Sequence, residues 1–196
     1  MMCGGLNMYD RIISVLTEQK NNLEKLIESD YTDNLEKIVN LIVESMRNGG
    51  KILIAGNGGS AADAQHFAAE IVGRFVLERK GFPAIALTTD TSILTAVGND
   101  YGYDCIFSRQ VEALGNKNDI FIGISTSGNS KNVVEAVKMA KDKGLKTIGL
   151  TGRDGGIMKN LCDEIINFYY PETARVQEHH IMTYHLICEF VEEKLK

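Results

Sequence analysis

The sequence predicts an α/β protein: a three-layer sandwich with a mostly parallel, five-stranded sheet, preceded by an N-terminal helical hairpin. Short apolar runs at residues 52–55, 84–87, 120–124, 147–150 and 165–168 alternate with segments of helical periodicity. The runs are near-continuously apolar rather than alternating, as expected of strands covered by helices on both faces. No low-complexity linker, repeat or composition break divides the 196 residues. A single domain (1–196) is therefore expected, with leading helices at about 9–48 and an α/β core at about 51–196.

Each element has its own warrant. Ile12, Ile13, Leu16, Leu23, Leu26 and Ile27 recur at helical spacing over residues 9–29. Leu35, Ile38, Val39, Ile42, Val43 and Met46 do so over 35–46. Between them SDYTDN reads as a stop and a new N-cap, at Thr32 or Asp33, and Asn48-Gly49-Gly50 ends the second helix. The hairpin either covers one end of the core or packs against a second subunit in a helical bundle. The strand at 52–55 leads into a helix at 60–78, and the strand at 84–87 into a helix at 91–114 interrupted near Gly98–Gly102. The strand at 120–124 precedes a helix at 131–143. That at 147–150 precedes a helical stretch at 156–161, and that at 165–168 a long final helix at 173–194.

Composition excludes several classes. A net charge of −5 disfavours nucleic acid or an anionic membrane surface as the main partner. No run of about 18 apolar residues is present, and the N-terminus lacks a signal-peptide pattern. Cys3, Cys105, Cys162 and Cys188 are far apart and form no CxxC pair, which fits free thiols in a reducing cytoplasm. Burial is expected for Cys162 and Cys188.

The chemistry concentrates in two loops and two helices. KILIAGNGGSAADAQHFAAE (51–70) joins a strand to a glycine turn, then to a helix carrying His66 and Glu70 four residues apart. Backbone N–H groups in such a turn approach an anion, and the imidazole–carboxylate pair shares one helical face, as metal binding or proton transfer requires. Gly56–Ala61 matches GxGxxA, but a dinucleotide site needs an acidic residue about 20 positions on, at a strand end. Glu78 falls at the expected helix end and Asp90 comes too late, so no nucleotide cofactor is expected. The second loop, Ser125-Thr126-Ser127-Gly128-Asn129-Ser130, follows a strand and opens a helix. Its hydroxyls and glycine form a neutral donor cradle for a phosphate monoester, where a P-loop would need GxxxxGK[ST]. A plainer reading is a polar turn with Ser130 as N-cap. Glu70 also stands four residues before Arg74, suited to a surface ion pair. His185 lies among apolar residues, where a lone histidine more often packs in the core. Asp63 and Asp90 are candidate caps, Asn99-Asp100 reads as turn chemistry, and the adjacent His179 and His180 face different ways.

Taken together, GNGGSAADAQHFAAE, ALTTDTS, GND, SRQVEALG, GISTSGNS and TARVQE resemble the sugar isomerase (SIS) domain and, more narrowly, the phosphoheptose isomerase family. The match runs from about Gly49 to the C-terminus. The resemblance implies a flavodoxin-like SIS fold and an aldose–ketose isomerase. Such an enzyme converts D-sedoheptulose 7-phosphate to D-glycero-D-manno-heptose 7-phosphate through an enediol(ate). It implies substrate contacts from Asn57, Gly58, Gly59, Glu70, Asn99, Asp100, Ser125, Thr126, Ser127, Ser130 and Gln177. It also implies zinc held by His66, Glu70, Gln177 and His185, and a homotetramer with shared active sites. A 1,2-proton shift needs one group for the C–H proton and another for the hydroxyl proton; Glu70 and His185 are the candidates. The stretch Tyr169-Tyr170-Pro171-Glu172-Thr173 stands where family members often have Asp or Ser. The rival expectation is a non-catalytic SIS module that senses a phosphosugar and has no need of Glu70 or His185.

Overall fold

The computed structural model describes residues 7–196; Cys3 lies outside them. The chain divides into two compact units, one ending at Asp33 and the other spanning Asn34–Lys196. The first unit holds α1 (Met8–Ile27), capped by Asn7, whose side chain accepts the Asp10 N–H at 2.9 Å. Helix α2 (Tyr31–Arg47) begins earlier than expected. Ser29 Oγ accepts the Tyr31 N–H at 3.2 Å, so Thr32 and Asp33 sit inside the first turn rather than capping it.

The second unit contains β1 (Ile52–Gly56), α3 (Gly59–Val72), β2 (Ala84–Ala86), α4 (Thr91–Tyr101), α5 (Ser108–Leu114), β3 (Ile120–Ser125), α6 (Lys131–Asp142), β4 (Lys146–Gly152), β5 (Glu164–Phe168) and α7 (Thr173–Leu195). The five strands run in the order β2-β1-β3-β4-β5 and every pairing is parallel. Side chains alternate across such a sheet. Leu53, Ala55 and Phe121 enter a cluster with Phe107, Val111, Val133, Val137 and Met158. Ile52, Ile54, Ile122 and Ile124 point the other way and are fully buried. Helices α3 and α7 pack against the sheet and against each other. Each buried large aliphatic or aromatic side chain contributes on the order of 2 kcal/mol, which is why these runs hold the sheet rather than the loops.

Two expected helices are shorter. α3 stops at Val72, and the segment after Gly73 is irregular, because Glu192 on α7 accepts the N–H groups of Phe75 (2.9 Å), Val76 (2.8 Å) and Leu77. Those amides are lost to any helix continuing to residue 78. Glu78 therefore sits on this irregular segment. At 156–161 only a 3₁₀ turn forms, Ile157–Asn160, since Gly155 and Gly156 both adopt positive φ. The expected break between Gly98 and Gly102 is present, with Gly102 at φ 89°. Cys105 and Cys162 are half-buried and Cys188 is buried, all as free thiols. Burial nonetheless pushes the Cys162 thiol up to about 12.

Candidate active site

The strand order reverses between β1 and β3, and in open parallel sheets the crevice at such a reversal, outside the carboxyl ends, is where ligands bind. Gly56 pairs with Ile124, so the glycine turn and the serine loop leave the sheet side by side. Gly58 takes φ 56°, ψ −121°, a conformation that glycine alone tolerates cheaply, and α3 starts directly after it. Gly59 leaves room for Gln177, whose amide nitrogen occupies the space a Cβ there would claim.

The serine loop is built by internal hydrogen bonds. Gly128, at φ 65°, donates to the Ser125 carbonyl at 2.9 Å. Asn129 holds the Ser127 carbonyl through Nδ2 and accepts the Ile157 N–H through Oδ1. Ser130 occupies the N-cap position of α6, but its hydroxyl makes no cap hydrogen bond. Instead Ser130 Oγ lies 3.0 Å from Ser125 Oγ. The hydroxyls thus face one another across the loop, and the ordinary capping role is unfilled.

Helices α3 and α7 meet through Phe67 stacked on Tyr184, ring centroids 5.3 Å apart. That contact brings His66 and Glu70 to the face of α7 that carries His185. His66 Nε2 is 3.1 Å from Glu70 Oε1, and the His66 and His185 rings meet edge-on at 5.0 Å. Glu70 therefore partners His66, while Arg74 pairs with Glu78 at 3.6 Å. The Tyr184 hydroxyl is 2.9 Å from His66 Nδ1, and Phe75 lies 5.4 Å from His185. Burial, with His66 nearby, lowers the His185 pKa, while Glu70 opposes that shift. The shift favours the neutral imidazole.

Asp63 proves not to be a cap. It sits within α3, one turn before His66, buried, with Oδ2 lacking a hydrogen-bond partner among the described residues. Burial pushes its carboxyl up to about 6, and His66 opposes the shift. Asp90 does cap α4, accepting the Ile93 N–H at 2.9 Å. Asn99 and Asp100 lie in the last turn of α4 and hydrogen-bond each other at 2.8 Å; Asp100 does not hydrogen-bond His185. His179 and His180 are buried, bonded to the carbonyls of Arg175 and Thr151 respectively. Neither belongs to the cluster around His66.

For a metal, the donors are chemically suitable: two imidazoles, a carboxylate and an amide oxygen. His185 Nε2 is buried without a partner among the described residues, an atom that a cation would satisfy. As they stand, no three His, Cys, Asp or Glu side chains among the described residues converge on one point. His66 and Glu70 direct their atoms at each other instead, so side-chain rotation would have to accompany binding.

Sequence reasoning missed Tyr184, the place of Asp63 beside His66, and Asn132, whose side-chain amide pairs with that of Asn57. Asp63, His66 and Glu70 at i, i+3 and i+7 do share one face, a signal that was available. Tyr184 and Asn132 carry no local signal, because their partners lie far away in the chain.

Comparisons with known proteins bear on the family and the fold. The SIS domain family model matches residues 16–152. Phosphoheptose isomerase of Aliarcobacter butzleri is 57% identical over 190 residues, covering 96% of this chain and 99% of the relative. The structure of a phosphoheptose isomerase from Francisella tularensis superposes with a TM-score of 0.92 at 36% identity, covering 96% of this chain and all of the other. That of the Neisseria gonorrhoeae enzyme gives 0.89 at 44%, covering 95% of this chain and 100% of the other. No described helix is long and apolar enough to cross a membrane. The chain belongs to the SIS domain family and, within it, to the phosphoheptose isomerases.

Proposed function

We propose that this chain isomerises D-sedoheptulose 7-phosphate to D-glycero-D-manno-heptose 7-phosphate. One observation carries the reading: the serine loop and the turn leading to the His66–Glu70–His185 cluster leave adjacent parallel strands at their carboxyl ends. Ser125, Thr126, Ser127 and Ser130 hold the phosphate, aided by the first amides of α6. The amides of Asn57, Gly58 and Gly59 close on the sugar, with Gln177 beside them and Asn99 and Asp100 completing the contacts. Fixing the phosphate at one end orients the reacting carbons at the other.

At those carbons, one of Glu70 and His185 takes the C1 proton of the ketose and returns a proton to C2. The other moves a proton between the two oxygens, and the sugar passes through an enediol(ate). Zinc, when bound by His66, Glu70, Gln177 and His185, would polarise the sugar oxygens and fix these side chains. No step here requires a nucleotide cofactor.

The reading extends to a single SIS domain, since the family match begins at residue 16 and crosses the boundary between the two units. It also extends to a cytoplasmic homotetramer with shared active sites. Exposed Ile12, Ile13 and Leu16 on α1 supply apolar surface for such an assembly.

Incubation with sedoheptulose 7-phosphate in deuterated water tests the reading. Deuterium at C2 of an aldose product is expected. Glu70→Gln and His185→Gln should each abolish turnover with the fold intact. Unchanged ketose, while the sugar still raises the melting temperature, would make the chain a phosphosugar sensor. Full activity in either variant would overturn the proton-transfer roles.

A further inference from the structure

Asn132 is the second residue of α6, buried to 2% exposure, and its side chain turns toward the glycine turn after β1. Its Nδ2 donates to Asn57 Oδ1 at 2.8 Å, and Asn57 Nδ2 donates back to Asn132 Oδ1 at 2.8 Å. Asn132 Oδ1 also accepts the Val133 N–H at 3.0 Å, fixing the amide to the start of its own helix. The Tyr103 hydroxyl donates to Asn57 Oδ1 at 3.0 Å. Asn57 is thereby the meeting point of three segments: the glycine turn, the end of the serine loop, and the stretch just after Asn99 and Asp100.

Two consequences follow from the donor and acceptor count. The Asn57 carbonyl oxygen already accepts two hydrogen bonds, so it has no capacity left for a sugar hydroxyl. One amide hydrogen and the turn's backbone remain to meet a ligand. A reciprocal pair of side-chain amides also fixes both distance and angle, since each planar amide supplies a donor and an acceptor to the other. Half buried, such a pair holds its geometry better than a single exposed hydrogen bond.

We infer that Asn132 is a positioning residue: through Asn57 it sets the glycine turn at a fixed place relative to the phosphate cradle. A sugar phosphate then meets both ends of the site without ordering them first. The inference rests on the proposed phosphosugar reading, and it predicts a specific division. Asn132 matters to a ligand that spans both loops and little to one that fills the cradle alone.

The test measures dissociation constants by calorimetry for sedoheptulose 7-phosphate and for inorganic phosphate, beside KM and kcat. Asn132→Ala should weaken the sugar phosphate about tenfold, the loss expected for one buried amide pair, and inorganic phosphate less than about twofold. Asn57→Ala should weaken it at least as much, since it removes the same pair together with the amide hydrogen left for the ligand. The double variant should be no weaker than Asn57→Ala alone, since Asn132 acts only through Asn57. Tyr103→Phe, at an exposed side chain that cannot compromise folding, should shift sugar-phosphate binding in the same direction by about threefold. Equal losses for both ligands, multiplying losses in the double variant, or wild-type affinity in Asn132→Ala would each overturn the inference. Wild-type protein that binds the sugar phosphate without turning it over refutes the isomerase reading but leaves these binding ratios decisive.

Discussion

Glu192→Gln is the substitution whose cost the structure defines most fully. The Glu192 carboxylate is 1% exposed and accepts from the Phe75, Val76 and Leu77 amides and from Arg79 Nε at 2.8 Å. Arg79, itself 5% exposed, also donates to the carbonyls of Glu70, Ile71, Gly73 and Lys80. One buried carboxylate thus ties α7 to the end of α3, next to Glu70, and holds Phe75 against His185. A glutamine keeps one acceptor but presents an NH₂ where the Phe75 amide and Arg79 now donate. Two donors then face a donor, and a buried guanidinium loses its counter-charge. Breaking such a pair costs about 3–5 kcal/mol. The same contacts, expressed as a shift in the carboxyl's pKa, give a comparable figure. The hydrogen-bond donors outweigh burial and hold the Glu192 carboxyl at about 2, against 4.5 when unfolded, and that difference is worth about 3 kcal/mol. Because the folded pKa is the lower one, this stability is present above pH 4.5 and is lost as pH falls toward 2. Urea unfolding at pH 7 should therefore show the variant about 3–4 kcal/mol less stable, with the gap closing between pH 4.5 and 2 as the wild-type carboxyl comes to resemble the amide. A loss under about 1 kcal/mol at pH 7, or a gap independent of pH, would refute the clamp.

Two further predictions concern the site. Tyr184→Phe keeps the stacking on Phe67 but removes the hydroxyl from His66 Nδ1, and affinity for zinc at the proposed site, by chelator competition, should fall about tenfold. Unchanged affinity would show that His66 needs no such orientation. Gly128→Ala places a Cβ against the Gly155 carbonyl at a φ of 65°, so strain and overlap together should cost about 3 kcal/mol in thermal unfolding. It should also weaken inorganic phosphate binding; normal phosphate affinity would place the anion elsewhere.

Much of this was legible locally. The apolar runs gave all five strands to within a residue or two; β1, β3 and β4 are buried on both faces and need little beyond hydrophobicity and β-branching, while the edge strands β2 and β5 are only partly covered. The Asp90 cap and the Gly98–Gly102 interruption are local chemistry and were equally readable. The end of α3 was not, since residues 74–78 carry a helical pattern that is overruled by a carboxylate more than a hundred positions away. Ser130 looks like a cap from its neighbours, yet its hydroxyl faces Ser125 because the loop folds back on itself.

By itself the sequence determined the alternation of strands and helices, the glycine turn and the serine loop, and the His66–Glu70 pair on one helical face. These depend on spacing within a few residues, where backbone geometry is fixed by the helix or strand period. The tertiary structure alone decided which loops stand together and who their partners are. Parallel pairing of β1 with β3 aligned the glycine turn with the serine loop. The packing of α3 on α7 then brought Tyr184 and His185 to His66. Asn132 acquired its role only when residues 75 positions apart came within hydrogen-bonding distance, a relation that only the packed sheet supplies.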